Sequence, residues 1–151
     1  MTEAHPTLGL RPAVPADADF VFRLAEAGLR HYAEQTWGKW DKAGTRASFL
    51  SMTHQIIQYG GQDIGCIALV EAPDEFKLNR LFLLPAFQNR GIGTRLMGEI
   101  IANARDKRKP IRLRVLAVNP ARRFYERLGF RVTRSTPERH YLEWSERERQ
   151  Q

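Results

Sequence analysis

Two glycines, a cation and a hydroxyl fall within the run Gln88-Asn89-Arg90-Gly91-Ile92-Gly93-Thr94. The run follows an apolar segment closed by Pro85 and leads directly into a helical pattern. The first N–H groups of a helix have no partner inside it. The helix dipole adds roughly half a positive charge at that end. Such a start binds phosphate. Gly91 and Gly93 let the backbone approach an anion that a Cβ would hold off. Arg90 adds a fixed positive charge, and Thr94 adds a hydroxyl donor. Two better-known phosphate loops do not match: a P-loop needs a Gly-Lys-Ser/Thr ending, and a dinucleotide fingerprint needs a third glycine. Taken alone, the two glycines also suit an ordinary tight turn.

The elements that must position this run are legible in the hydrophobic pattern. Leu8 to Arg11 reads as a strand, and Pro15 opens a helical pattern with Asp17 and Asp19 in its first turn. Phe20, Val21, Leu24, Ala25 and Gly28 form one helical face. An irregular aromatic segment, Thr36 to Trp40, is expected after Tyr32, then a short helix from Ala43 to Met52. Gln55–Tyr59, Ile64–Val70 and Phe76–Leu84 read as an antiparallel meander with turn signals between them. Ile92, Leu96, Ile100 and Ala104 step by four, which predicts a helix from Gly91 to Asp106. Ile111–Val118 alternates as a strand, Pro120 opens a helix closed by Gly129, and Phe130–Thr133 and His140–Trp144 are the last strands. The order is β-α-α-β-β-β-α-β-α-β-β: an α/β chain with one mixed sheet and helices against it.

The 151 residues suffice for one domain with a real core. The formal net charge of +7 attracts polyanions, and nucleic acid and a phosphate-bearing coenzyme are equally served by it. No apolar stretch approaches the roughly 20 residues of a membrane span, and no basic-then-apolar start suggests a secretory signal. Cys66 is the one cysteine, so no internal disulfide forms, which fits a reducing cytoplasm. Its apolar neighbours favour a packing role over a nucleophilic one. No His/Cys/Asp cluster has metal-ligand spacing, so no metal is expected.

Gln88-Asn89-Arg90-Gly91-Ile92-Gly93 resembles the Q/R-x-x-G-x-G/A pyrophosphate motif of the GNAT superfamily of N-acyltransferases. It sits in that family's place, between the fourth strand and the third helix. Val118-Asn119-Pro120-Ala121-Arg122-Arg123-Phe124-Tyr125-Glu126-Arg127-Leu128-Gly129-Phe130 is similar to the family's second signature. The resemblance implies a single N-acetyltransferase domain over 1–151, with a core over 8–144 and a polar tail over 145–151. It implies a central sheet splayed between the fourth and fifth strands. It implies acetyl-CoA as co-substrate, and an amine that attacks the thioester directly through a tetrahedral oxyanion. The coenzyme arm would add as a pseudo-strand to backbone groups near Leu81 and Leu83. An N–H of Leu81, Phe82 or Leu83 would stabilise the oxyanion. Tyr125 matches the family's general acid, and a phenol of pKa about 10 suits a thiolate leaving group. Asn119 resembles an asparagine that contacts the coenzyme arm, although its spacing to Tyr125 is one residue shorter than the commonest form. Gln88 to Thr94, with Arg123 and Arg122, are expected at the coenzyme phosphates.

The same resemblance places the acceptor beside the segment joining the first two helices, where Tyr32, Glu34, Trp37 and Trp40 stand. Two tryptophans beside a carboxylate would receive a cationic amine, and would equally pack the helix pair on the sheet. Many family members carry a glutamate early in the fourth strand as base. Lys77 stands there, so the base candidates are Glu34, Asp41, Glu71 and His140, or a water chain. Other readings stay open: a different acyl donor, a CoA-binding domain without catalysis, or a binder of nucleic acid resting on Arg105-Asp106-Lys107-Arg108-Lys109. The last lacks the interleaved aromatics and recognition helix such a surface needs. A homodimer is compatible with the sequence.

Overall fold

A computed structural model describes residues 6–146, so most of the expected polar tail lies outside the described residues. Strand β1 (Leu8–Pro12) leads through a 3-10 turn at Pro15–Asp17 into helix α1 (Ala18–Trp37). Val14 offers no capping side chain, and Asp17 makes no cap bond into α1. The Asp17 carboxylate accepts the Val14 N–H at 2.8 Å and the Arg11 guanidinium at 2.8 and 2.9 Å. That ion pair holds the Asp17 carboxyl at about 2, well below its usual range. The same arginine reaches Asp63 at 2.8 Å, which ties the helix start to both β1 and β3 (Gln62–Glu71).

Of the irregular segment expected over 36–40, residues 38–40 are irregular and Thr36 and Trp37 are helical. Helix α1 runs on to Trp37, and Thr36 satisfies its hydroxyl on the Tyr32 carbonyl at 2.7 Å without breaking the ladder. The stop is Gly38, in the left-handed region at φ 77°. Helix α2 (Lys42–Leu50) starts just after Asp41, whose carboxylate accepts the Gly44 N–H at 2.8 Å.

The expected meander is present as β2 (Gln55–Tyr59), β3 and β4 (Phe76–Leu83), all antiparallel. Then come α3 (Ile92–Lys107), β5 (Ile111–Leu116), α4 (Ala121–Arg127), β6 (Arg131–Ser135) and β7 (Arg139–Trp144). Strand β5 stops two residues short of the expected Val118. The seven strands form one mixed sheet in the order β1-β2-β3-β4-β5-β7-β6, and the four α-helices among the described residues pack against it. One face carries Val21 and Leu24 of α1 against Ile56, Cys66 and Phe82. The other carries Ile92, Leu96, Met97 and Ile100 of α3 and Tyr125 of α4 against Ile57, Ile67, Leu78 and Leu113. Among the described residues, no helix is long and apolar enough to cross a membrane.

The parallel pair β4–β5 breaks the antiparallel pattern. It is joined only at Phe76–Ile111 and Lys77–Arg112, and the strands then part. Strand β4 also changes register against β3: Leu78 faces Leu69, but Arg80 faces Ala68, which leaves Asn79 as an extra residue. Such a bulge bends its strand and increases local twist. Beyond Asn79 the strand therefore leaves its parallel neighbour, and a V-shaped gap opens between residues 81–83 and the end of β5.

Candidate active site

The gap leads into two cavities on its two sides. The larger, about 990 Å³, runs along the end of β4, the turn before α3 and the face of α4. Gln88, Asn89, Gly91, Gly93 and Thr94 line it. The smaller, about 440 Å³, is walled by α1, α2 and the strands, with Trp37, Trp40, Asp41, Ser48 and Arg80 among its residues. Leu81, Phe82, Asn119, Ala121 and Tyr125 line both, so they mark where the two meet.

The turn into α3 has the features that phosphate binding demands. Asn89 and Gly91 adopt φ of 59° and 79°. Gly91 suits the second without strain, since a left-handed conformation penalises a Cβ. The first helical bond is Arg95 N–H to the Gly91 carbonyl, at 3.0 Å. None of the N–H groups of residues 89–94 meets an acceptor among the described residues. These amides therefore stand available on the cavity, at the positive end of a helix. The Gln88 side-chain amide donates to the Leu83 carbonyl at 2.9 Å, which fixes the turn to the strand it follows. Ile92 turns its side chain into the core, so only its backbone serves the turn. Arg90 lines neither cavity, and its guanidinium lies over the Phe87 ring, 5.2 Å from its centroid.

The strand edge is equally specific. Leu84 N–H donates to the Ile64 carbonyl at 2.8 Å, which marks 64 and 84 as a hydrogen-bonded pair. An antiparallel ladder alternates, so the N–H and C=O of Phe82 turn toward β3. Those of Leu81 and Leu83 turn toward the gap. Of the three oxyanion candidates, Leu81 and Leu83 therefore offer an N–H there, and Phe82 contributes its ring. That ring abuts Gly28 so closely that a Cβ on Gly28 would lie 2.7 Å from Cδ1, so glycine lets α1 approach the strand.

Tyr125 is buried, 8% exposed, with ring centroids 5.1 Å from Phe124 and 5.5 Å from Phe130. Its hydroxyl makes no hydrogen bond within the described residues. Burial pushes its phenol well above the usual value, so the group is protonated at neutral pH. Asn119 accepts the Ala121 N–H on its Oδ1 at 2.9 Å, a local turn bond just before α4, while lining both cavities. Arg123 is exposed and lines neither cavity, and Arg122 is held by Glu126 at 3.3 Å and His140 at 3.2 Å. The cations that do line the larger cavity are Arg23 and Arg127. Arg127 lies one helical turn past Arg123, and that spacing was its available signal.

The acceptor-side residues divide. Tyr32 lines the larger cavity, Trp37 and Trp40 the smaller, and Glu34 neither. Glu34 pairs with Arg30 at 3.4 Å. Trp40 donates its indole N–H to Glu26 at 3.0 Å, and Trp37 lies under the Arg139 guanidinium at 5.3 Å. Of the base candidates, Asp41 alone lines the smaller cavity. Glu71 is neutralised by Lys107 at 2.8 Å and Lys109 at 2.7 Å, and His140 is engaged with Ser135 at 2.7 Å. Lys77 is exposed and lines neither cavity. Cys66 is fully buried with its thiol pushed up to about 12, a packing residue. No group of three or more His, Cys, Asp or Glu among the described residues is placed to hold a metal.

A helix start with free amides beside a splayed parallel strand pair, with a buried tyrosine at the junction, is the arrangement found here. The family model of the acetyltransferase (GNAT) domain matches residues 50–132. The chain belongs to the GNAT acetyltransferase family. It is similar to an acetyltransferase from Thermus thermophilus, with TM-score 0.71 and 20% identity over 94% of this chain and 99% of that one. It is similar to the PaiA N-acetyltransferase of Thermoplasma acidophilum in complex with coenzyme A, with TM-score 0.66 and 20% identity over 92% and 99%. It is also similar to a GNAT family acetyltransferase from Elizabethkingia anophelis with acetyl-CoA bound, with TM-score 0.60 and 16% identity over 91% and 97%. At such identities the likeness speaks for the fold. Comparison with curated proteins gives no match.

Proposed function

We propose that this chain transfers the acetyl group of acetyl-CoA to a primary amine. The observation that carries the reading is the set of unoccupied amides at residues 89–94, at a helix start that opens on the splayed gap. They suit the coenzyme diphosphate. The gap edge of β4 offers Leu81 and Leu83 to the amides of the pantetheine arm, which adds as a strand would. The thioester then lies where the two cavities meet, beside Tyr125.

The amine arrives from the smaller cavity as its neutral form. Its nitrogen bonds to the thioester carbon, and the carbonyl oxygen takes negative charge, which an N–H of Leu81 or Leu83 stabilises. As the intermediate collapses the C–S bond breaks, and the Tyr125 hydroxyl gives its proton to the departing sulfur. The ammonium proton leaves to solvent, directly or by way of Asp41. Tyr125 is reprotonated from water, and an N-acetyl amine and CoA are released.

Release of free thiol from acetyl-CoA in the presence of an amine panel tests this reading. Thiol release that depends on the amine is expected. Tight coenzyme binding with no turnover of any amine would leave a CoA-binding domain without catalysis.

A further inference from the structure

Arg80 has no counter-ion among the described residues. It is 9% exposed, on β4 just past the bulged Asn79, and it lines the smaller cavity. A guanidinium presents five N–H donors. Here Nη2 makes one long bond to the Ser48 hydroxyl at 3.4 Å, and Nη1 makes none. The titratable groups that interact with it are His54 and Cys66, and neither supplies negative charge. Desolvation raises the Cys66 thiol to about 12 and keeps it protonated, and it holds His54 toward its neutral form. Desolvation also pulls the Arg80 guanidinium below its usual value, the sign of a charge buried without compensation.

An unpaired buried charge is expensive, and buried ions are normally paired. The rest of the wall does not supply the pairing. Arg114 and Arg139 line the same cavity, and Asp41 is its one carboxylate among the described residues. Asp41 already holds the Gly44 N–H at the start of α2. The cavity is therefore electropositive, walled by Trp37 and Trp40, and of a size for a small molecule.

We propose that Arg80 is the anchor for a carboxylate on the acceptor, so that the acceptor is a small amino-carboxylate rather than a simple alkylamine or polyamine. A guanidinium takes a carboxylate through charge-assisted N–H···O bonding. That contact fixes one end of the acceptor in the smaller cavity while its amine points to the junction at Tyr125. The inference rests on the acetyl-transfer reading above for the amine's role. The anion site itself stands on Arg80 and its surroundings.

The test uses matched pairs: the common L-α-amino acids and short ω-amino acids, each against its own carboxamide. The carboxamide's amine is the less basic of each pair and so the more deprotonated at neutral pH. Reactivity alone therefore favours the carboxamide, and a preference for the acid reports recognition. Two readouts are taken on the full chain: acceptor binding by calorimetry with coenzyme A saturating, and thiol release from acetyl-CoA. Expected is a preference for the carboxylate member on the order of 10- to 100-fold for at least one pair. Arg80→Met abolishes that preference and leaves coenzyme affinity unchanged, and Arg80→Lys retains part of it. The wild-type comparison stands even where Arg80→Met fails to fold. Turnover of amines with no carboxylate preference overturns this inference and leaves the acetyl-transfer reading intact. Carboxylate-selective binding without turnover upholds the anion site and overturns the catalytic reading. Neither binding nor turnover of any member overturns both.

Discussion

The Gln88 side chain spans the turn and donates to the Leu83 carbonyl at 2.9 Å, so one bond couples the turn before α3 to the strand edge that would hold the coenzyme arm. Gln88 is exposed, so the bond contributes little to global stability and much to local geometry. Gln88→Ala should raise the Kd for acetyl-CoA about 3- to 10-fold while kcat changes less than about 2-fold. Equilibrium binding and steady-state kinetics on the same preparation read both. An unchanged Kd would show that the turn keeps its shape without this bond.

Tyr125→Phe removes only a hydroxyl, and that hydroxyl has no hydrogen-bond partner within the described residues. Stability should stay within about 1 kcal/mol of wild type, and coenzyme affinity should hold. The rate of the chemical step should fall about 100-fold. The direction of the pKa shift adds a second check. The phenol must carry its proton to donate it, and burial raises its pKa, so activity should not decline on this group's account below about pH 10. An alkaline fall near neutral pH that disappears in Tyr125→Phe would contradict the assignment.

The sequence made some of this site legible and hid the rest for definable reasons. The glycine pattern at 91 and 93 and the four-residue apolar step of α3 are local signals, so the turn and its helix were readable. The extension of α1 to Trp37 was not, because the aromatic run Thr36-Trp37-Gly38 reads as irregular until Gly38 is seen as its left-handed terminus. The bulge at Asn79 is a relation between β3 and β4 and leaves no mark in one strand's alternation. With it went the significance of Arg80, since only the folded chain shows that its buried Nη1 finds no hydrogen-bond partner among the described residues. Trp37 and Trp40 read equally as receptors and as packing. The structure gives each a partner already, in Arg139 and Glu26, while leaving both on the cavity wall.

Asp17 should govern acid stability. Its carboxyl is lowered from an ordinary 3.8 to about 2 by the Arg11 pair and the Val14 N–H. A depressed carboxyl stabilises the fold above its unfolded value and loses that contribution as pH falls through its folded one. The loss therefore falls between about pH 4 and pH 2. The pair is partly exposed and screened, so roughly 1 kcal/mol is at stake. Asp17→Asn should lower stability at pH 6 by about that amount and flatten its decline across this window, as read by denaturant titration at each pH. Parallel pH curves for the two proteins would contradict it.

Cys66 should be chemically silent in the native state. It is fully buried, and its thiol is pushed up to about 12. The thiolate is the reactive form, and so little of it forms that a thiol-specific reagent at pH 8 should label the protein only after denaturation. Rapid stoichiometric labelling of the folded protein, with activity lost in step, would assign the thiol a working role.

The most direct test follows the backbone amide resonances of residues 89–94 by NMR as coenzyme A is titrated in. These amides should shift strongly and saturate together with binding, and pantetheine, which lacks the diphosphate, should leave them in place. Coenzyme binding that leaves these resonances unmoved would contradict the proposal that this helix start holds the diphosphate.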